Sequence, residues 1–145
     1  MHCLEVLSVN GTTRSEEIRE AVARHLAGEN DVFHDLYCLP DDYGADMIRF
    51  CLAASDAEAR ALLLDVLWNR REPAAIPLLE RMIEDENEDV WQAALDGLVT
   101  YGSIRSAEII EEYTARLKRE KPGSGKIDWM IEALEQLRER LANDG

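Results

Sequence analysis

The sequence predicts an all-α fold, a short α-solenoid of stacked helix pairs. Three observations carry this. Apolar residues recur at helical spacing through most of the chain. A two-helix pattern returns after 31 residues, with Leu64-Asp65 falling on Leu95-Asp96 and Leu67 on Leu98. The chain has 145 residues, of which 46% are apolar. That is too apolar to stay unfolded and long enough to bury a core without disulfides or metals. The expected organisation is a single domain over residues 1–145, with an irregular first part at 12–54, two clear repeats at 56–117 and a C-terminal capping helix at 126–141.

Residues 1–9 fit either a terminal helix or a strand, and the Asn10-Gly11 pair ends them. A helix is expected from Ser15, with Ile18, Val22 and Leu26 spaced to share one face. Ser15 is its candidate cap, Glu16 and Glu17 suit the positive end of the helix dipole, and Gly28 stops it. Residues 29–40 read as a short helix or an apolar loop. A second helix is expected over 42–54, bearing Met47, Ile48, Cys51 and Leu52.

The repeat begins at residue 56. A helix over 56–70 turns Leu62, Leu63, Val66 and Leu67 inward, and Pro73 stands where the next helix starts. Residues 74–85 form that helix, with Ile76, Leu79, Met82 and Ile83 on its apolar face. After the polar turn 86–88, capped by Asn87 or Asp89, the unit returns. Leu78-Leu79-Glu80 falls on Ile109-Ile110-Glu111, and Gly102 makes the turn between the later helices. In the last helix Trp129, Ala133, Leu134 and Leu137 repeat Trp91, Ala94, Leu95 and Leu98. The longer loop 118–125 accounts for the wider spacing of this copy.

These features resemble the HEAT family, in particular the short HEAT-like repeats of many bacterial proteins. The resemblance rests on Glu88-Asp89-Val90-Trp91-Gln92-Ala93-Ala94-Leu95-Asp96-Gly97-Leu98 and on the helix from Ser106 to Arg116. An Asx-rich turn, a pair of small residues, Leu and a Gly-containing turn follow in the family's order. The resemblance implies HEAT-like helix pairs that bind proteins. It also implies that the second helix of each pair, here 42–54, 74–85 and 106–119, lines a concave face.

Charge narrows the partners. Acids outnumber bases 30 to 16, a net −14. Duplexes and anionic membranes are bound by neutralising phosphates with Lys and Arg, so neither is an expected partner. A basic protein is, since opposite fields speed encounter. The candidate contacts are Asp46, Glu80, Glu84, Glu108, Glu111 and Glu112 on the concave helices, with Tyr37 and Tyr43 from the irregular segment. Trp91 and Trp129 occupy equivalent repeat positions and read as packing between repeats. Small acidic HEAT-like chains resemble the immunity partners of bacterial polymorphic and contact-dependent inhibition toxins. That implies a basic, nuclease-type toxin domain as partner, and a general scaffold is the alternative.

Catalytic and metal motifs are not expected. His34 and Cys38 stand at i, i+4 with no third group to form a nucleophilic triad. The Asp85–Asp89 stretch starts like a calcium loop, but Val90 stands at its sixth position and Asp96 at its twelfth. The acids from Glu84 to Asp89, five in six residues, nonetheless make a strong local negative field. Gly123-Ser124-Gly125-Lys126 lacks the spacing of a phosphate loop and reads as a flexible loop. The segment 116–126 carries five bases and reads as a helix C-terminus with its favourable cations. Some HEAT-like proteins attach bilin chromophores, but no such site can be named, so a non-enzyme without cofactor or metal is expected. Met1-His2-Cys3-Leu4-Glu5 has no basic, apolar leader, and Cys3, Cys38 and Cys51 form no CxxC pair. A cytoplasmic protein with free thiols is therefore expected.

Overall fold

A computed structural model describes residues 13–144. Eight α-helices are present among them, with no strand. They are α1 (Arg14–Leu26), α2 (Val32–Tyr37), α3 (Tyr43–Ala53), α4 (Ala57–Asn69), α5 (Ile76–Met82), α6 (Glu88–Tyr101), α7 (Ile104–Glu120) and α8 (Lys126–Asp144). A 3-10 turn, Pro73–Ala75, leads into α5. The alternatives for residues 1–9 lie outside the described residues.

Local chemistry explains the helix starts. Thr13, two residues before the expected Ser15, caps α1. Its hydroxyl accepts from the Glu16 N–H, and the Glu16 carboxylate accepts from the Thr13 N–H. This reciprocal arrangement satisfies two orphan donors, which Ser15 could not do from inside the first turn. Asp56 caps α4 and Asn87 caps α6, as their positions before apolar runs suggest. Ser103 caps α7 through a second reciprocal pair with Ser106, so that helix begins ahead of the expected 106. Gly28, at φ +96, follows α1 in the left-handed region where a side chain is strained.

The chain divides into two compact units that meet in sequence at Glu72 and Pro73. In the first, α4 packs on α1, α2 and α3. Ile18, Leu36, Met47, Leu63, Leu64 and Leu67 are its largest fully buried side chains. Leu26 and Leu52, expected inward, are 42% and 47% exposed. Leu26 lies one turn past the last buried residue of its helix, Val22, whereas Leu52 follows the buried Cys51 on a side of its helix that is left open.

In the second unit α5 packs on α6, α7 on α8, and α6 on α8. The sequence repeat groups 88–101 with 104–120, yet the close neighbour of α6 is the helix before it. Leu79, Ile83, Leu98, Ile110, Met130 and Leu137 fill this core. Trp91 is buried while its repeat equivalent Trp129 is 50% exposed.

Arg70 ties the first unit together. Its guanidinium donates to the carbonyls of Leu36, Tyr37, Leu39 and Pro40, at 3.3, 3.1, 2.7 and 3.1 Å. Its Nε donates to Glu72 at 2.9 Å. The Glu72 carboxyl in turn lies against Gly44 near the start of α3, so close that a Cβ there would fall 2.6 Å from it. One ion pair thus places a cation at the end of α2 and an anion at the beginning of α3, as both helix dipoles favour. The Arg70 side chain is only 6% exposed. Arg70→Met should therefore cost about 2–4 kcal/mol, because it removes the donor shared by four carbonyls and the Glu72 carboxylate. Arg70→Lys should not restore the loss, since one ammonium cannot span the fork. Urea unfolding reads this as a lower midpoint at unchanged slope.

Candidate functional site

The residues expected to form one acidic face occupy different environments. Asp46 is buried, accepts from Arg14 Nε at 2.7 Å and also pairs with Arg49. Tyr43 is 2% exposed, and its hydroxyl donates to Glu17 at 2.9 Å. Glu80 is buried and accepts from the Ser106 hydroxyl at 2.7 Å, with Arg105 at 3.9 Å. These three are therefore buried against neighbouring elements, where outward-facing contacts were expected. An acid or a tyrosine on the apolar side of a short helix is drawn inward when a donor or acceptor on a neighbouring element meets it.

The others are outside. Glu108 and Glu112 are exposed, and exposed Glu111 pairs with Arg138 at 3.1 Å. Tyr37 is 43% exposed and stacks on Phe33. Glu84 receives a two-pronged contact from Arg116, at 2.8 and 3.1 Å. That hydrogen-bonded guanidinium holds the Glu84 carboxyl below its usual range, against the opposing effect of partial burial.

Glu84 also lines a groove of about 600 Å³ within the second unit, a size common among binding clefts. The turn after α5 supplies Asp85 and Glu86, and Glu88 opens α6. Trp91 of α6, Tyr113 of α7 and Trp129 of α8 form aromatic walls. Trp91 and Trp129 meet edge to face, ring centres 5.8 Å apart.

Lys126, the first residue of α8, is held among these rings. Its Nζ lies 5.3 Å from the Trp91 ring centre and 4.9 Å from that of Tyr113. It donates to the Tyr113 hydroxyl at 2.7 Å and to the Asp85 carbonyl at 3.1 Å. Burial pushes its pKa down to about 8, although Asp85 and Glu84 pull the other way. Burial, and then the nearby Glu84 charge, raises the pKa of the Tyr113 phenol. The groove therefore combines aromatic faces that attract cations with carboxylates at its mouth.

Of the expected contacts, only Glu84 belongs to this groove. Trp91, Tyr113, Lys126 and Trp129 were not expected there. The usable signal was a lysine three residues before the second of two equivalent tryptophans, near a five-acid turn. Elsewhere, Cys38 Sγ lies 3.6 Å from His34 Nε2, so this i, i+4 pair does share a face. Cys38 and Cys51 are free thiols. Among the described residues no group of three or more His, Cys, Asp or Glu is placed to hold a metal ion. None of the described helices is long and apolar enough to cross a membrane.

Two outcomes follow from this geometry. Ser106→Ala should cost about 1–3 kcal/mol, read by thermal or urea unfolding, because it leaves the buried Glu80 carboxylate without its hydroxyl donor. Lys126 sets a pH dependence. The folded state releases its proton near pH 8 and the unfolded chain near 10.5. Between those values the unfolded chain binds more protons, so stability rises with pH. Measured from about pH 8 towards 10, wild type should gain stability relative to Lys126→Met. Above that, titration of Tyr113 enters from its ordinary value of 10.0.

Comparison with known proteins places the geometry in a family. Residues 46–119, slightly more than half of the chain, match the family described as HEAT repeats. No curated protein and no solved structure matches. The matched segment runs from α3 to the end of α7 and contains the 31-residue repeat read from the sequence. With this match and an all-helical structure of paired helices, the chain belongs to the HEAT repeat family.

Proposed function

We propose that the chain is a protein-binding module for a basic protein, which its acidic surface attracts and holds. HEAT repeats are generally protein-interaction scaffolds, so the class of function follows from the family. The observation that carries the choice of partner is where the bases are spent. Arg70, Lys126 and Arg140 bind backbone carbonyls. Arg14, Arg24, Arg49, Arg116 and Arg138 are in ion pairs. Arg19, Arg81, Lys118, Arg119 and Lys121 are exposed without an ion-pair partner among the described residues, but so are Glu86, Asp89, Glu108 and Glu135, and 30 acids against 16 bases leave the excess negative. The unbalanced surface charge is therefore negative, and it favours a cationic partner.

The narrowest form of this reading is a cognate pair in which the chain neutralises a nuclease toxin. A surface that holds phosphates is cationic, and an acidic cover copies the field of its substrate. Co-expression tests it. The C-terminal domain encoded by the neighbouring gene is produced alone and together with this chain. Lethality relieved by the chain supports the cognate pair; a harmless neighbour overturns it and leaves the general module.

For any basic partner, the association rate should fall about tenfold or more between about 50 and 500 mM salt. Replacing Glu86, Glu88, Glu108 and Glu112 together by Gln should reproduce most of that loss at low salt. Stopped-flow or surface-based kinetics separates it from any change in dissociation. Glu80→Gln should instead lower stability, because Glu80 faces the interior.

A further inference from the structure

We propose that the aromatic groove of the second unit is the seat for a lysine or arginine side chain from a basic polypeptide. Trp129 is the surface it stacks on, and Glu86 and Glu88 supply the counter-charge. This rests on the reading of the chain as a binder of basic proteins and names where one such contact is made.

Lys126 sits with its ammonium near the Trp91 and Tyr113 rings and bonded to the Tyr113 hydroxyl. Lys126 thus fills the inner walls, where burial disfavours its charge, and leaves the more exposed Trp129 face as the open surface of the groove. Trp129 lines the same groove, touches Trp91 edge to face and is 50% exposed. Among the described residues no cation lies over its ring. An indole face is the strongest of the aromatic attractors for Lys and Arg.

The charge at the mouth is uncompensated in the right place. Glu84 is matched by Arg116. Glu86 has no ion-pair partner among the described residues, and Glu88 accepts only from the neutral amide of Gln92, at 2.8 Å. Two carboxylates thus border an exposed indole, and with Glu84 and Asp85 they outnumber the two lysines of the lining, Lys121 and Lys126. A second copy of this chain is a poor occupant, since it would bring a net −14 against −14. Nucleic acid is repelled in the same way. A cationic side chain is attracted by both the rings and the acids.

The test uses the whole chain with an end-blocked lysine decapeptide, and with the same peptide acetylated on every Nε. Calorimetry and tryptophan fluorescence follow binding at low salt. The lysine peptide should bind and the acetylated one should not. Trp129→Ala should weaken binding about tenfold, with Trp129→Phe intermediate, the order expected of a cation on an aromatic face. Glu86→Gln with Glu88→Gln should weaken it and flatten its salt dependence, whereas Glu20→Gln, an exposed acid of the first unit, should have little effect. Trp129→Phe preserves a packed ring, so the assignment stays testable if the alanine variant is poorly folded. If the peptide binds but both Trp129 variants bind as tightly as wild type, the groove is overturned and the basic-partner reading stands. If the lysine peptide does not bind wild type at low salt, both fall together.

Discussion

Helix carbonyls need donors, and in this chain cations from later helices supply many of them. Every α-helix ends with four carbonyls that have no partner inside it. Short helices joined by short turns bring many such ends into a small volume. Arg70, just after α4, takes four carbonyls at the end of α2 and beyond it. Arg140 of α8 takes the carbonyls of Val99 and Gly102 at the end of α6. Lys126 takes that of Asp85, beyond the end of α5. Each contact joins elements distant in sequence and sets a positive charge where the helix dipole is negative. Apolar burial drives the helices together, but it is not directional. These bonds are directional, and they fix which helix end meets which.

The same economy shapes the surface. With 16 bases against 30 acids, each arginine drawn to a carbonyl or a buried carboxylate leaves another acid unmatched outside. Structural use of the cations and the acidic exterior are one distribution of charge seen from two sides. Lys126 joins the two most directly. It ties α8 to the turn after α5 and lines the groove in which aromatic rings and carboxylates meet. The contact that organises this corner of the fold thus also builds its most distinctive surface.

Much of the fold was legible in order. Leu62, Leu63, Val66 and Leu67 are buried as their spacing requires, and so are Leu79, Met82 and Ile83. Asn87 caps where an Asx residue before an apolar run should. Leu26 and Leu52 are exposed although they carry the apolar spacing of their helices, and Trp129 packs on Trp91 as its repeat position suggests while keeping half of its surface open. The site was less legible. Asp46, Glu80 and Tyr43 look like surface residues by type, yet each meets an internal partner carried by a different element. Residue type tells that a carboxylate wants a donor. It does not tell whether water or an arginine on another helix provides it.

The sequence by itself determined the helices, their caps, the repeat and the surplus of negative charge. All of these depend on residues within a few turns of one another, or on a sum over the chain. Only the tertiary structure decided which acids stay outside, why one of two equivalent tryptophans is exposed, and that Lys126 sits among aromatic rings. Those outcomes depend on contacts such as Ser106 with Glu80 and Lys126 with Asp85, between residues 26 and 41 positions apart. Helical periodicity specifies the face a residue occupies, but not which other element will stand against that face.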